Sequence, residues 1–150
     1  MSFGNRPRVL VADDDTSIRQ LLRTIIHRQR MEVDCVSDGA QAIEKLKSQA
    51  YSVILLDLMM PRVSGFDVIE YLKQNPPDPK PVVLVISAYA DQRFRGVDAA
   101  IVAGVLRKPF EVAELGGIVS LCVSAFDREL YMGESAASES AASENASAPN

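Results

Sequence analysis

The chain has 150 residues, 47% hydrophobic and 24% charged, which suits one globular domain with a real core. A net charge of -4 gives no basic footprint for nucleic acid or an anionic membrane, and no apolar run nears the roughly 18 residues of a membrane span. The N-terminal Met1-Ser2-Phe3-Gly4-Asn5-Arg6 lacks the apolar stretch of a secretory signal, and Cys35 and Cys122 form no CxxC pair. The expectation is a soluble, cytoplasmic protein with buried free thiols.

Val9-Leu10-Val11-Ala12 is a short apolar run, as a strand buried on both faces requires, and it ends in Asp13-Asp14-Asp15. Ile18, Leu21, Leu22, Ile25 and Ile26 then repeat with helical spacing. Met31 to Val36 reads as a second strand, and Asp38 caps a helix that turns Ala42, Ile43 and Leu46 inward. Val53-Ile54-Leu55-Leu56 is the third strand and ends in Asp57, with Pro61 barring simple continuation. Ser64 and Asp67 have capping-box spacing ahead of a helix that buries Phe66, Ile69 and Leu72. Asn75 to Pro81 holds four prolines and is a loop. Val82 to Ile86 is the fourth strand and stops at Ser87; a less regular helix is expected between Asp91 and Ile101. Gly104 to Arg107 is the fifth strand, followed by Lys108-Pro109. A last helix runs from Glu111 to Phe126 with Leu115, Ile118, Val119, Cys122 and Phe126 inward, weakened by Gly116-Gly117 at about 1 kcal/mol per glycine.

Five βα units predict an α/β fold: a doubly wound (βα)5 parallel sheet of five strands, order 2-1-3-4-5, flavodoxin-like. Residues 1-6 form an N-terminal extension and 7-128 the domain. In residues 129-150 Ser135-Ala136-Ala137-Ser138-Glu139 repeats as Ser140-Ala141-Ala142-Ser143-Glu144. That composition cannot order itself on a core, and it reads as a disordered tail or the start of a linker, with only marginal helix in isolation.

Open α/β sheets bind ligands beyond the carboxyl ends of their strands. Asp13 and Asp14 end strand one, Asp57 strand three, Ser87 strand four and Lys108 strand five. Taken singly each has a bland reading: an aspartate triplet that turns and caps, a backbone-bonded serine, a solvated lysine. Together at one sheet edge they make an acidic pocket with one cation. Three carboxylates repel there, and a hard divalent ion such as magnesium relieves the conflict. Such a pocket suits phosphoryl chemistry, with a carboxylate as nucleophile. His27, the only histidine, falls late in the first helix and is read as a surface residue.

Four fragments in order carry a family resemblance over about residues 7 to 127: Val9 to Asp15; Val53 to Pro61 with Gly65; Val85-Ile86-Ser87-Ala88; and Lys108-Pro109-Phe110. They resemble the response-regulator receiver domains. The resemblance implies that Asp57 is the phosphoacceptor, that Asp14, Asp57 and the Met59 backbone carbonyl bind Mg2+, and that Asp13 acts through water. It also implies that Ser87 and Lys108 contact the phosphoryl group and that the peptide before Pro109 is cis. The partners implied are a histidine kinase or phosphotransfer protein and a downstream protein target on the face of the fourth helix, fifth strand and fifth helix, with no direct nucleic acid contact and no membrane insertion. The protein is then no stand-alone enzyme, although it catalyses its own phosphorylation and dephosphorylation.

One departure concerns switching. Val105 stands where relatives often carry a rotating aromatic, leaving Phe94 or Tyr89 as substitutes. Met59 and Tyr89 occupy positions that tune dephosphorylation in relatives, and an apolar pair there predicts slow loss of the phosphoryl group. The alternatives are a receiver cut from a hybrid kinase or DNA-binding regulator, and a pseudo-receiver that only binds partners. A phosphatase of the haloacid-dehalogenase type would share the strand-end nucleophile but leave Asp57 to Pro61 unexplained.

Overall fold

The computed structural model describes residues 6–88 and 98–145, with side chains through 128. Five strands, β1 (Arg8–Ala12), β2 (Glu32–Val36), β3 (Val53–Asp57), β4 (Val82–Ser87) and β5 (Val102–Arg107), pair in parallel in the order β2-β1-β3-β4-β5. The described helices are α1 (Thr16–Arg28), α2 (Gly39–Ser48), α3 (Gly65–Gln74) and α4 (Val112–Asn145). This is the doubly wound, flavodoxin-like arrangement expected from the alternation of elements.

Strand side chains alternate between two cores. Val9, Val11, Val53, Leu55, Leu84 and Ile86 pack under α1 and α4 against Leu22, Ile25, Ile26, Leu115 and Val119. Leu10, Ala12, Ile54, Leu56, Val83 and Val85 pack under α2 and α3 against Ala42, Val68, Ile69 and Leu72. β3 is buried at every position, which is why its sequence is continuously apolar up to Asp57.

Local chemistry sets the helix ends. Asp15 caps α1 by accepting from the Ser17 and Ile18 amides, Asp38 caps α2 through the Gln41 amide, and Ser64 with Asp67 completes a capping box on α3. α1 closes in a Schellman motif: the Arg30 amide donates to His27 O, the Met31 amide to Ile26 O, and Arg30 takes a left-handed φ of 61°.

Several boundaries and faces differ from those read in the sequence. β5 starts at Val102, two residues early, because the turn at Asp98 delivers Val102 into register with Val83 across an irregularity before Leu84. Val68 and Val123 are core residues the sequence reading passed over, whereas Leu21 lies at the exposed edge of its stripe and Phe66 is only partly buried. α4 continues past Phe126 through the Ser-Ala-Ala-Ser-Glu repeat to Asn145, with alanine and glutamate supplying helix propensity. The helix expected between Asp91 and Ile101 lies mostly outside the described residues; its last part, 99–101, is a turn. No helix among the described residues is long and apolar enough to cross a membrane.

Candidate functional site at the strand ends

The three aspartates after β1 have separate tasks. Asp13 is 1% exposed. Its amide donates to Val36 O at 3.2 Å, and its Oδ1 accepts the Asp15 amide at 2.9 Å. Asp15 turns away to cap α1, and Asp14 between them is exposed. Arg19, one turn into α1, donates from Nη1 to the Asp13 backbone carbonyl at 2.8 Å and from Nη2 to Thr16 Oγ1 at 3.1 Å.

Asp57, the last residue of β3, is 4% exposed and accepts the Met59 amide on Oδ1 at 3.1 Å. The chain then folds back so that the Gly65 amide donates to Leu58 O at 3.0 Å. A Cβ on Gly65 would lie 2.3 Å from Asp57 O, so only glycine lets α3 start this close to the acidic strand end.

Lys108 enters from the end of β5. Its amide donates to Ser87 O at 3.0 Å, which ties the ends of β4 and β5 together, and the Lys108-Pro109 peptide is cis. Its Nζ lies 2.8 Å from Asp13 Oδ2 and 3.3 Å from Asp57 Oδ2. The structure thus brings together Asp13, Asp14, Asp57 and Lys108, with carboxylate oxygens of the three acids all within 4.8 Å of one another. Ser87 is buried at the adjoining strand end. Met59 donates its amide to Asp57 and is itself 40% exposed. Val105 is 43% exposed on β5, and His27 is exposed in the last turn of α1. Tyr89 and Phe94 lie outside the described residues.

Burial pushes the Asp57 carboxyl upward and the charge on Asp13 adds to it, while the Met59 amide and Lys108 pull the other way; the net direction is up. For Lys108 burial opposes the charge, but Asp13 and Asp57 together outweigh it and hold the ammonium above its ordinary range. Both thiols, Cys35 and Cys122, are pushed up by burial, as inert partly buried cysteines should be.

Among the described residues, three carboxylates face one ammonium. Asp13 Oδ2 is buried and lacks a directed hydrogen bond, although it is ion-paired to Lys108. An all-oxygen, net-negative pocket open on the Asp14 side fits a hard divalent cation that keeps several of its waters.

Arg19 escaped the sequence reading. A basic residue on the first turns of a helix is usually a solvated charge, and no periodicity in the sequence marks a contact from Arg19 back to the strand end.

Comparison with known proteins agrees with this geometry. A model described as "Response regulator receiver domain" matches residues 9–120. The response regulator MprA of Mycolicibacterium vanbaalenii is 32% identical over 130 residues, covering 87% of this chain and 56% of the relative. The chain spans about half the length of the curated relatives it matches. Among solved structures, the signal receiver domain of a putative Luxo repressor protein from Vibrio parahaemolyticus superimposes with a TM-score of 0.74 at 26% identity, covering 85% of this chain and 98% of that one. The response regulator TrrA from Thermotoga maritima, solved in complex with Mg(2+)-BeF, gives 0.68 at 28% identity, covering 77% and 98%. With strand order, strand-end acids and family model in agreement, the chain belongs to the response regulator receiver domains.

Proposed function

We propose that this receiver accepts a phosphoryl group on Asp57 from a histidine kinase or phosphotransfer protein, with Mg2+ in the acidic pocket, and passes the signal on through protein contacts. The observation that carries the reading is the convergence of Asp13, Asp14, Asp57 and Lys108 from the ends of three strands into one pocket. The Mg(2+)-BeF complex of the Thermotoga maritima relative supports the same reading by analogy.

Asp14, Asp57 and the Met59 carbonyl are the proposed metal ligands, with Asp13 acting through water. Bound Mg2+ supplies positive charge that offsets the acids and the phosphoryl oxygens. The protein's own groups do the rest. The Met59 amide holds one Asp57 oxygen and so fixes the carboxylate plane. A carboxylate oxygen forms the new P–O bond as the P–N bond to the donor histidine breaks, and the imidazole departs with that electron pair. Lys108, already beside Asp57 Oδ2, is placed to take a phosphoryl oxygen while keeping Asp13 as its second partner. Ser87 supplies a hydroxyl from β4, and its reorientation carries the switch. The proposed output surface is the face of β5 and α4, completed by the fourth helix expected from the sequence, which lies mostly outside the described residues. Exposed Val105, Val112 and Leu121 give its described part an apolar character without a rotating aromatic. Met59, half exposed beside Asp57, supports slow hydrolysis of the phosphoryl group.

Incubation with Mg2+ and acetyl phosphate should add one phosphoryl mass to the wild type and none to Asp57→Asn. No adduct on the wild type would point to a pseudo-receiver, and an unchanged adduct on the variant would move the acceptor elsewhere.

A further inference from the structure

We infer that Arg19 is a positioning residue for the metal-binding loop, acting through the Asp13 backbone carbonyl; the inference rests on the proposed role of Asp13, Asp14 and Asp57 toward Mg2+.

Asp14 is the exposed member of the acidic cluster, and among the described residues its carboxylate takes no hydrogen bond or ion pair. Its placement is therefore set by the two peptide groups that flank it. The group after it is held by the Asp15 amide donating to Asp13 Oδ1 at 2.9 Å. The group before it is held by Arg19, whose Nη1 donates to the Asp13 carbonyl at 2.8 Å. A peptide unit is planar, so fixing that carbonyl fixes the direction in which the chain departs toward the Asp14 Cα. Asp13 is itself anchored by its amide to Val36 and by Lys108 at Oδ2, so Arg19 supplies the remaining tie of the residue.

The guanidinium bridges two elements. Nη2 donates to Thr16 Oγ1 at 3.1 Å, so one rigid fork joins the end of β1 to the first turn of α1. A lysine has the charge but not the paired, planar donors. Outer partners that orient metal ligands are typically worth about 10- to 100-fold in metal affinity. Because Arg19 acts through a carbonyl and not a carboxylate, its effect belongs at the low end.

The test is calorimetric Mg2+ titration of the full chain together with acetyl phosphate labelling over a range of Mg2+. Arg19→Ala should weaken Mg2+ binding about tenfold and raise the Mg2+ needed for half-maximal labelling by the same factor. Its labelling rate at saturating Mg2+ should stay within about twofold of the wild type, since no group that touches the phosphoryl is removed. Arg19→Lys should recover only part of the affinity. Thr16→Ala, a surface change that removes one anchor of the guanidinium, should shift the affinity in the same direction by a smaller factor, and it decides the matter if Arg19→Ala does not fold. Wild-type Mg2+ affinity in folded Arg19 variants, or in Thr16→Ala where Arg19→Ala is lost, would overturn the inference. So would a lower rate at saturating Mg2+ with unchanged affinity. A wild type that binds no Mg2+ would overturn the underlying reading of the pocket, and this inference with it.

Discussion

Asp57 holds its charge in unfavourable surroundings: nearly excluded from water and facing the carboxylate of Asp13, with the Met59 amide and Lys108 only partly compensating. Its carboxyl therefore titrates higher in the folded protein than in the unfolded chain, where about 3.9 is usual. The folded state binds the proton more tightly, so stability falls as pH rises from the unfolded value through the folded one and stays reduced above it. In metal-free buffer at neutral pH, Asp57→Asn should melt higher than the wild type, by about 2–4 °C for each kcal/mol of strain relieved. The gap should close as the pH is lowered below about 4. Lys108 keeps Asp13 at 2.8 Å, so the substitution does not strand its ammonium, and the asparagine oxygen can still accept the Met59 amide. Thermal melts of both proteins across pH 3–7 in EDTA check this; a variant less stable than wild type at pH 7 would contradict it. The acids and the lysine were legible in the sequence because they stand at or just past the ends of the strand runs, and the doubly wound topology sends those ends to one edge. The separate surroundings of the three aspartates after β1 were not. That Asp13 is buried, Asp14 exposed and Asp15 a cap depends on how the loop turns between β1 and α1, and three identical letters carry no such information.

Among the elements, α4 shows the same limit. Its apolar spacing marked Leu115 and Val119 as inward, yet the adjacent glycines looked equivalent. In the fold Gly116 faces α1: Gln29 Nε2 donates to its carbonyl at 2.8 Å, and the Ser120 hydroxyl donates to Gln29 Oε1 at 2.7 Å. A Cβ on Gly116 would stand 3.0 Å from that Nε2, whereas one on Gly117 meets nothing within 4 Å. Gly117→Ala should therefore gain the full helix-propensity difference, about 1 kcal/mol. Gly116→Ala should gain less or lose stability, because the Gln29 amide must shift from both hydrogen bonds, each worth about 0.5–1.5 kcal/mol net. Urea denaturation of the two variants would separate them; equal gains would mean that Gln29 repositions freely. A glycine pair in a helix reads as a flaw until the opposing surface is known, and that surface, the end of α1, lies 87 residues away in the chain.

At the scale of the whole molecule, the pocket draws on β1, β3 and β5, so a cation bound there is tied to the assembled sheet and has little to hold in the unfolded chain. Binding to the folded state alone stabilises by RT ln(1 + [Mg2+]/Kd), about 2.7 kcal/mol at 100 times Kd. For a chain of this length that corresponds to a rise in Tm of about 5–10 °C. The rise should vanish with EDTA and be much reduced in Asp14→Asn. Asp14 is the informative position because it is exposed and makes no bond among the described residues. Its replacement should leave the metal-free Tm within about 1–2 °C, since surface changes of this kind usually stay within about 0.5 kcal/mol. Asp13→Asn would not separate the effects, because Asp13 also holds Lys108 and the Asp15 amide. A Mg2+ shift that survives Asp14→Asn would place the cation away from this edge of the sheet. A metal-free Tm that collapses in the variant would instead make Asp14 part of the fold's own support, leaving Asp57 and Lys108 to carry the phosphoryl chemistry with a different arrangement of charge.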